Sequence, residues 1–290
     1  MKLHHIAAAM ALVTGLGAAH AGLVAGNEAG TTGNGSLIMI AYDKRGGTTT
    51  AGVFDLGIRI DDLVGAAGHA ANVVPGTLEN SKMVWDFTTN TFSINGTVST
   101  AYGNNDWTTA WNRLLDNSDL ADLQFVVTAF DAVGSARNRR TIVTGVQTPS
   151  ITKMSTSNAG NLGLVATNNT IFIPQNTRGT HPTADNGAYT FIAADGAATR
   201  ANGYAMAGDA FANNWRNNNP LNGETFAGTD TYLYLVDGTG EFRQLGMQSA
   251  VSLNVATGQL SVTPVPEPST YALVVAGLAV AGIAARRRKA

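Results

Sequence analysis

The chain has 290 residues, a formal net charge of −2 and 13% charged against 44% hydrophobic residues. Between Gly22 and Pro264, 13 Lys and Arg face 19 Asp and Glu, and those cations are scattered apart from Arg137, Arg139 and Arg140, which excludes the concentrated basic face that nucleic acid or an anionic membrane surface requires. No cysteine is present, which excludes disulfides, thiolate-bound zinc, c-type haem and iron–sulfur sites.

At the N-terminus, basic Lys2, an apolar run from Ile6 to Ala18 and the small-x-small triplet Ala19-His20-Ala21 have the layout of a secretory signal peptide over residues 1–21, with Gly22 as the mature N-terminus. Residues 22–263 then form the exported domain. At about 240 residues, such a domain can bury roughly 70–75% of its unfolded surface without covalent staples.

The domain reads as mainly β. Ser36 to Tyr42 is an apolar strand, and VFDLGIRI from Val53 alternates Phe54, Leu56, Ile58 and Ile60 with Asp55, Gly57 and Arg59, which predicts a strand with one buried face. KMVWDF from Lys82 and TFSING from Thr91 flank Thr88-Thr89-Asn90 as a hairpin. Asn105 or Asp106 caps a predicted helix running to about Asp116, with Trp107, Trp111, Leu114 and Leu115 on one face. Two tryptophans so spaced are either a sugar platform, if exposed, or a packing face; the two leucines beside them favour packing.

LQFVVTAFD from Leu123 is the most apolar strand, followed by RTIVTGV as its hairpin partner. Arg137, Arg139 and Arg140 lie between them and read as a solvated hairpin or loop. Pro149 to Leu164 holds a weak helix signal, and residues 174–229, rich in Asn, Gly and Pro, favour turns and long loops. DTYLYLVDG, EFRQLGM, AVSLNV and QLSVTP restore the strand pattern, with turns at Asp237-Gly238 and Ala256-Thr257-Gly258, and Pro264 closes the domain. The expected architecture is an antiparallel sandwich or barrel with one or two short helices.

Catalytic signals are sparse. The mature chain carries two histidines, His69 and His181, too few for a typical His-based zinc site. No G-x-S-x-G elbow, P-loop or G-x-G-x-x-G pattern accompanies them. Asp61, Asp62, Asp116, Asp119, Asp122 and Asp131 could supply a glycosidase pair. Adjacent Asp61 and Asp62 on a strand would point opposite ways, and Asp at turns is more often a turn former. Asp237 and Glu241 offer calcium-type oxygens at i and i+4, although a hairpin turn explains the same residues better. No catalytic residue, metal or cofactor is assigned from the sequence, and the expectation is a protein that is not an enzyme. The alternatives are a secreted carbohydrate-active hydrolase using an Asp pair and a permanently membrane-anchored envelope protein.

The last 26 residues, VPEPSTYALVVAGLAVAGIAARRRKA, differ in kind. Thr270 to Ala285 is free of charge and, as a helix, would be about 24 Å long against a hydrocarbon core of about 30 Å. It predicts a short transmembrane helix, with Arg286, Arg287, Arg288 and Lys289 held on the cytoplasmic side. Immediately outside it, Val265-Pro266-Glu267-Pro268 reads as a stiff extended segment. A motif, a span and a basic stop in this order resemble a PEP-CTERM sorting signal of Gram-negative bacteria; similar tails also go by the name ice-binding protein C-terminal region. The resemblance covers residues 264–290. It implies recognition by an exosortase-type membrane processing enzyme, transient membrane anchoring, and delivery to the cell surface or an extracellular polysaccharide (biofilm) matrix. It implies nothing about the activity of the body. The isolated Thr48-Thr49-Thr50 and Thr88-Thr89 clusters are not the regular array that ice binding requires. Low charge with abundant Asn, Thr and Gly suits a hydrogen-bonding surface for exopolysaccharide.

Overall fold

The computed structural model describes residues 35–43, 50–65, 76–100, 107–131, 140–156, 188–192, 221, 225–246, 248–264 and 278. Two apolar segments form its centre. β1 (Ser36–Asp43) and β2 (Ala51–Arg59) pair antiparallel, with Met39 opposite Phe54 and Ile38 opposite Asp55. The register shifts between Ser36 and Ile38, where Gly57 adopts φ 70°. This bulge needs a left-handed residue, which glycine supplies without a Cβ penalty. The chain then turns through α1 (Ile60–Leu63), a single helical turn.

The remaining elements follow in order: β3 (Met83–Asp86), β4 (Thr91–Ile94), β5 (Thr97–Val98), α2 (Thr108–Asn117), β6 (Leu123–Asp131), β7 (Arg140–Gly145), β8 (Ala188–Phe191), β9 (Thr225–Phe226), β10 (Thr231–Asp237), β11 (Phe242–Gln244), β12 (Ala250–Asn254) and β13 (Gln259–Thr263). All the strand pairs are antiparallel, in one sheet ordered β5-β4-β3-β13-β12-β10-β7-β6-β1-β2-β8, with β11 beside β10 and β9 beside β6. Among the described residues the end strands β5 and β8 do not pair with each other.

The sheet's two wings nevertheless face each other across one core. Trp85 on β3 donates its indole N–H to the Leu56 carbonyl on β2 at 2.7 Å, and Trp107 donates to the Asp55 carbonyl at 2.6 Å. Phe54, Phe87, Trp107 and Trp111 pack ring to ring between the wings, with centroids 5.0–5.9 Å apart, an arrangement that adds to area burial. The core is continuous from Leu37 and Met39 through Phe125 and Leu235 to Val251, Leu260 and Val262.

The wings differ. In β3, β12 and β13 burial alternates with a period of two, so one face is covered and one meets solvent. β1 and β7 are buried at every position, and β2 at all but Arg59. A second apolar cluster on their other face joins Ile38, Ile40, Val53, Val126, Val143, Tyr234 and Val236, with Met154 and Leu221 packed in. The expectation of one buried face for β2 is therefore corrected: Asp55 and Gly57 are interior.

α2 matches the predicted helix at its far end and face. Trp107, Trp111 and Leu114 are fully buried and Leu115 partly so, which settles the packing reading and removes the sugar platform. Its first amide groups are capped from a distance: Asn90 Oδ1 accepts from the backbone N–H of Trp107 at 2.8 Å and of Thr108 at 2.9 Å. Asn105 and Asp106 lie outside the described residues, as does most of the Pro149–Leu164 helix signal. Strands β8 and β9 occur inside the stretch that reads as turns and long loops.

Candidate functional site

Among the described residues, the outward face of the wing β12-β13-β3-β4 is a regular, solvent-facing surface. Register aligns two rows across these strands. One runs Ser252, Ser261, Val84, Ser93; the other runs Asn254, Gln259, Asp86, Thr91. All are half-buried or exposed, because the alternate positions Trp85, Phe92, Val251, Leu253, Leu260 and Val262 fill the core. The face therefore presents the hydroxyl and amide groups of Ser252, Ser261, Ser93, Thr91, Asn254 and Gln259, each able to donate and accept, with apolar Val84 and the Asp86 carboxylate among them. Gln259 donates to Asp86 Oδ2 at 3.0 Å, while Asp86 Oδ1 accepts from the backbone N–H of Thr88 and Thr89, both at 3.0 Å, and from the Thr88 hydroxyl at 2.6 Å. Burial pulls the Asp86 carboxyl upward, but these hydrogen bonds outweigh it and leave it below the ordinary carboxylate value.

Of the six aspartates that could have supplied a hydrolytic pair, Asp61, Asp62 and Asp119 hold structural contacts, Asp116 is exposed, Asp122 is half-buried, and the side chain of Asp131 lies outside the described residues. Asp61 and Asp62 sit on the helical turn α1, not on a strand as the sequence suggested. Asp61 pairs with Arg140 at 2.8 Å, and Asp62 accepts from the Arg59 backbone N–H at 2.8 Å. Asp119 accepts from the backbone N–H of Ala121 at 3.1 Å as a turn former. Arg140 is buried, 3% exposed, and also donates to the Gly65 carbonyl, which corrects the expectation of a solvated trio; Arg137 and Arg139 lie outside the described residues. Among the described residues, no three His, Cys, Asp or Glu side chains gather as a metal site; His69 and His181 lie outside them.

Asp237 and Glu241 stand at the two ends of the β10–β11 turn. Asp237 Oδ1 accepts from the Thr239 hydroxyl at 2.7 Å, the Thr239 N–H at 2.8 Å and the Glu241 N–H at 3.1 Å. Glu241 faces Lys153 at 3.4 Å on the surface. These contacts are those of a hydrogen-bonded turn. Asp55 is the chemically perturbed carboxyl that the sequence pattern hid. Burial pushes it up to about 7, against hydrogen bonds from Gly57 N–H and the Ser36 hydroxyl and the charge of Arg59. At 1% exposure no substrate reaches it, so the perturbation is structural rather than catalytic.

The tail leaves from an interior strand. β13 is held by β12 over Gln259–Thr263 and by β3 over Gln259–Val262, and Pro264 follows at once. The sorting residues Val265, Pro266, Glu267 and Pro268, the basic residues Arg286, Arg287, Arg288 and Lys289, and the cleavage residues Ala19, Ala21 and Gly22 lie outside the described residues. So does the expected span 270–285 apart from Leu278, and among the described residues no helix is long and apolar enough to cross a membrane.

Fold and exit point together define a sheet-built body tethered through an internal strand to a terminal sorting segment. Residues 264–289 match the PEP-CTERM protein-sorting motif. This chain therefore carries the signal for processing by an exosortase membrane enzyme, with export and membrane-associated sorting toward the cell surface. No curated protein and no solved structure matches the chain.

Proposed function

We propose that this is a non-enzymatic matrix protein: an exported body that associates with extracellular polysaccharide through the outward face of β12-β13-β3-β4. A signal peptide over residues 1–21 starts export, the segment 270–285 holds the chain in the inner membrane, and an exosortase acts at Val265–Pro268. The observation that supports the polysaccharide role is the pair of cross-strand rows carrying Ser252, Ser261 and Ser93, and Asn254, Gln259 and Thr91. Such groups exchange hydrogen bonds with sugar hydroxyls, and the Asp86 carboxylate among them is already held by Gln259, Thr88 and Thr89. A repeating polymer also lets individually weak contacts act together. The engagement of Asp61, Asp62 and Asp119 in an ion pair and in turns speaks against the hydrolase alternative.

The test is retention of the processed protein on the host's own exopolysaccharide. Wild type is retained, and the triple variant Ser252→Ala, Ser261→Ala, Asn254→Ala loses most of that retention while keeping its thermal midpoint. No retention of wild type above an unrelated control sinks the matrix role. Release of reducing ends from the polymer would establish the hydrolase instead.

A further inference from the structure

We propose that the polymer taken by the outward face of β12-β13-β3-β4 is an uncharged polysaccharide, and that the contact centres on the β12–β13 hairpin. This deepens the matrix reading above and rests on it. The ionisable side chains at the outward positions of these strands and their immediate flanks are Lys82 and Asp86, both belonging to β3. Lys82 is exposed one residue before the strand and shares the parity of Val84 and Asp86. Its carbonyl accepts from the Asn95 backbone N–H at 2.8 Å, and its own backbone N–H donates to Asn95 Oδ1 at 2.9 Å, which ties it to the β4–β5 turn. Asp86 lies four residues on, about 13 Å along the strand. That separation exceeds the screening length of about 8–10 Å in physiological salt, so the two charges act separately.

β12 and β13 carry no charged residue. Ser252 stands opposite Ser261 and Asn254 opposite Gln259, with Thr263 at the end of the same face. Cross-strand neighbours of this kind are about 4.5–5.5 Å apart, and successive outward positions about 6.8 Å apart along each strand. The result is a patch whose hydroxyl and amide groups each donate and accept. Sugar hydroxyls do the same, so either partner can turn to match the other.

Charge decides the class of polymer. A polyanion laid on this patch would bring a carboxylate, sulfate or phosphate against it at each repeat. Each such group would lose water and meet neutral groups instead of a fixed cation, a cost that recurs along the polymer as the favourable contacts do. Lys82 can answer one of them, at the edge of the face. Asp86 repels the rest: burial favours its neutral form, but the hydrogen bonds from Thr88, Gln259 and Thr89 prevail and keep it ionised. The body adds to this at long range, since 13 Lys and Arg against 19 Asp and Glu between Gly22 and Pro264 leave it with a charge of −6. An uncharged polymer meets none of these penalties.

The test uses the processed protein recovered from its host. Anion exchange separates the host's exopolysaccharide into uncharged and acidic polymers, and each is immobilised on its own column. Retention is expected on the uncharged polymer, unchanged from about 0.1 to about 1 M salt, over which the screening length falls from about 10 to about 3 Å. On the acidic polymer it should be several-fold weaker at the lower salt. Asp86→Asn keeps an oxygen for Thr88 and Thr89 and removes the charge, so it should raise retention on the acidic polymer several-fold and leave the uncharged one unchanged. Ser252→Ala with Ser261→Ala should remove most of the retention, and Thr91→Ala with Ser93→Ala little of it; the reverse order overturns the placement on the hairpin. Equal or stronger retention of wild type on the acidic polymer overturns the uncharged class and leaves the matrix role standing. No retention on either polymer overturns the matrix role and this inference with it.

Discussion

Asp55 should make the protein lose stability as pH rises through neutrality, the reverse of an ordinary ion-paired carboxylate. Its carboxyl sits at about 7 in the folded protein against an ordinary 3.8, with burial as the dominant cause. A folded value above the unfolded one means the folded state binds the proton more tightly. The stabilising contribution is therefore complete below the unfolded value, erodes as pH rises between about 4 and 7, and is gone above it. A shift of about three pH units corresponds to about 4 kcal/mol at full size. Asp55→Asn preserves an oxygen for the Gly57 N–H, 2.9 Å away, and a group able to hydrogen-bond the Ser36 hydroxyl, while abolishing the titration. Urea denaturation of wild type and Asp55→Asn at pH 4, 6 and 8 isolates the effect, because every other carboxyl, including the hydrogen-bonded Asp86, titrates in both proteins. The two should be nearly equal at pH 4, and at pH 8 the variant should be more stable by about 2–4 kcal/mol. A difference that stays flat from pH 4 to 8 would refute the reasoning, since it would mean that Asp55 titrates alike in folded and unfolded chains.

Further outcomes follow from other parts of the sheet. Asn90 has φ 54° and caps α2 with one oxygen, so Asn90→Ala should cost about 2–3 kcal/mol in chemical denaturation; Asn90→Gly should recover the backbone share only, and Asn90→Asp should be close to wild type. Glu79 is 5% exposed and holds Arg243 by two hydrogen bonds of 2.6 and 3.0 Å. Since Arg243 is itself partly solvated, Glu79→Gln should lower stability by about 2 kcal/mol, seen as a drop in urea midpoint. Gly258 has φ 66°, and a Cβ there would approach Thr88 Cγ2 to 2.5 Å. Gly258→Ala should therefore depress the thermal midpoint by several degrees, more than Gly96→Ala, where φ is 83° but the space is open. Finally, Pro266→Ala with Pro268→Ala should leave the protein in the membrane fraction at full mass in cells that process the wild type.

Legibility of the fold followed how local each determinant is. β6 and β10 announce themselves as apolar runs, and α2 as a 3.6-residue stripe whose tryptophans fill the core. The β3–β4 and β12–β13 hairpins are visible because turn residues sit between alternating strands. β8 is missed because AYTF is short and surrounded by Asn, Gly and Ala, with no local pattern strong enough to outweigh its neighbours. β2 misleads for a different reason. Asp55, Gly57 and Arg59 mimic a solvent face, yet Gly57 is there for the bulge and Asp55 is satisfied by Gly57 and Ser36 within the interior. Arg140 looks like one member of a basic cluster because its partner Asp61 is distant in sequence. The cap of α2 comes from Asn90 across a hairpin, a contact no window around the helix contains. Of the candidate site, the sorting residues are legible as a motif, whereas the rows on the outward face exist only once the register of four strands is known.

The polar face and the exit point of the tail meet on β13. This strand supplies Gln259 and Ser261 to the polar face and, two residues on, Thr263 to the exit point. Cleavage within Val265–Pro268 removes no strand pairing among the described residues, because the last paired position is Thr263. The binding face is consequently the same before and after processing. On the proposed matrix role, a body that completes its sheet upstream of the motif presents the same surface whether the tail is attached or removed.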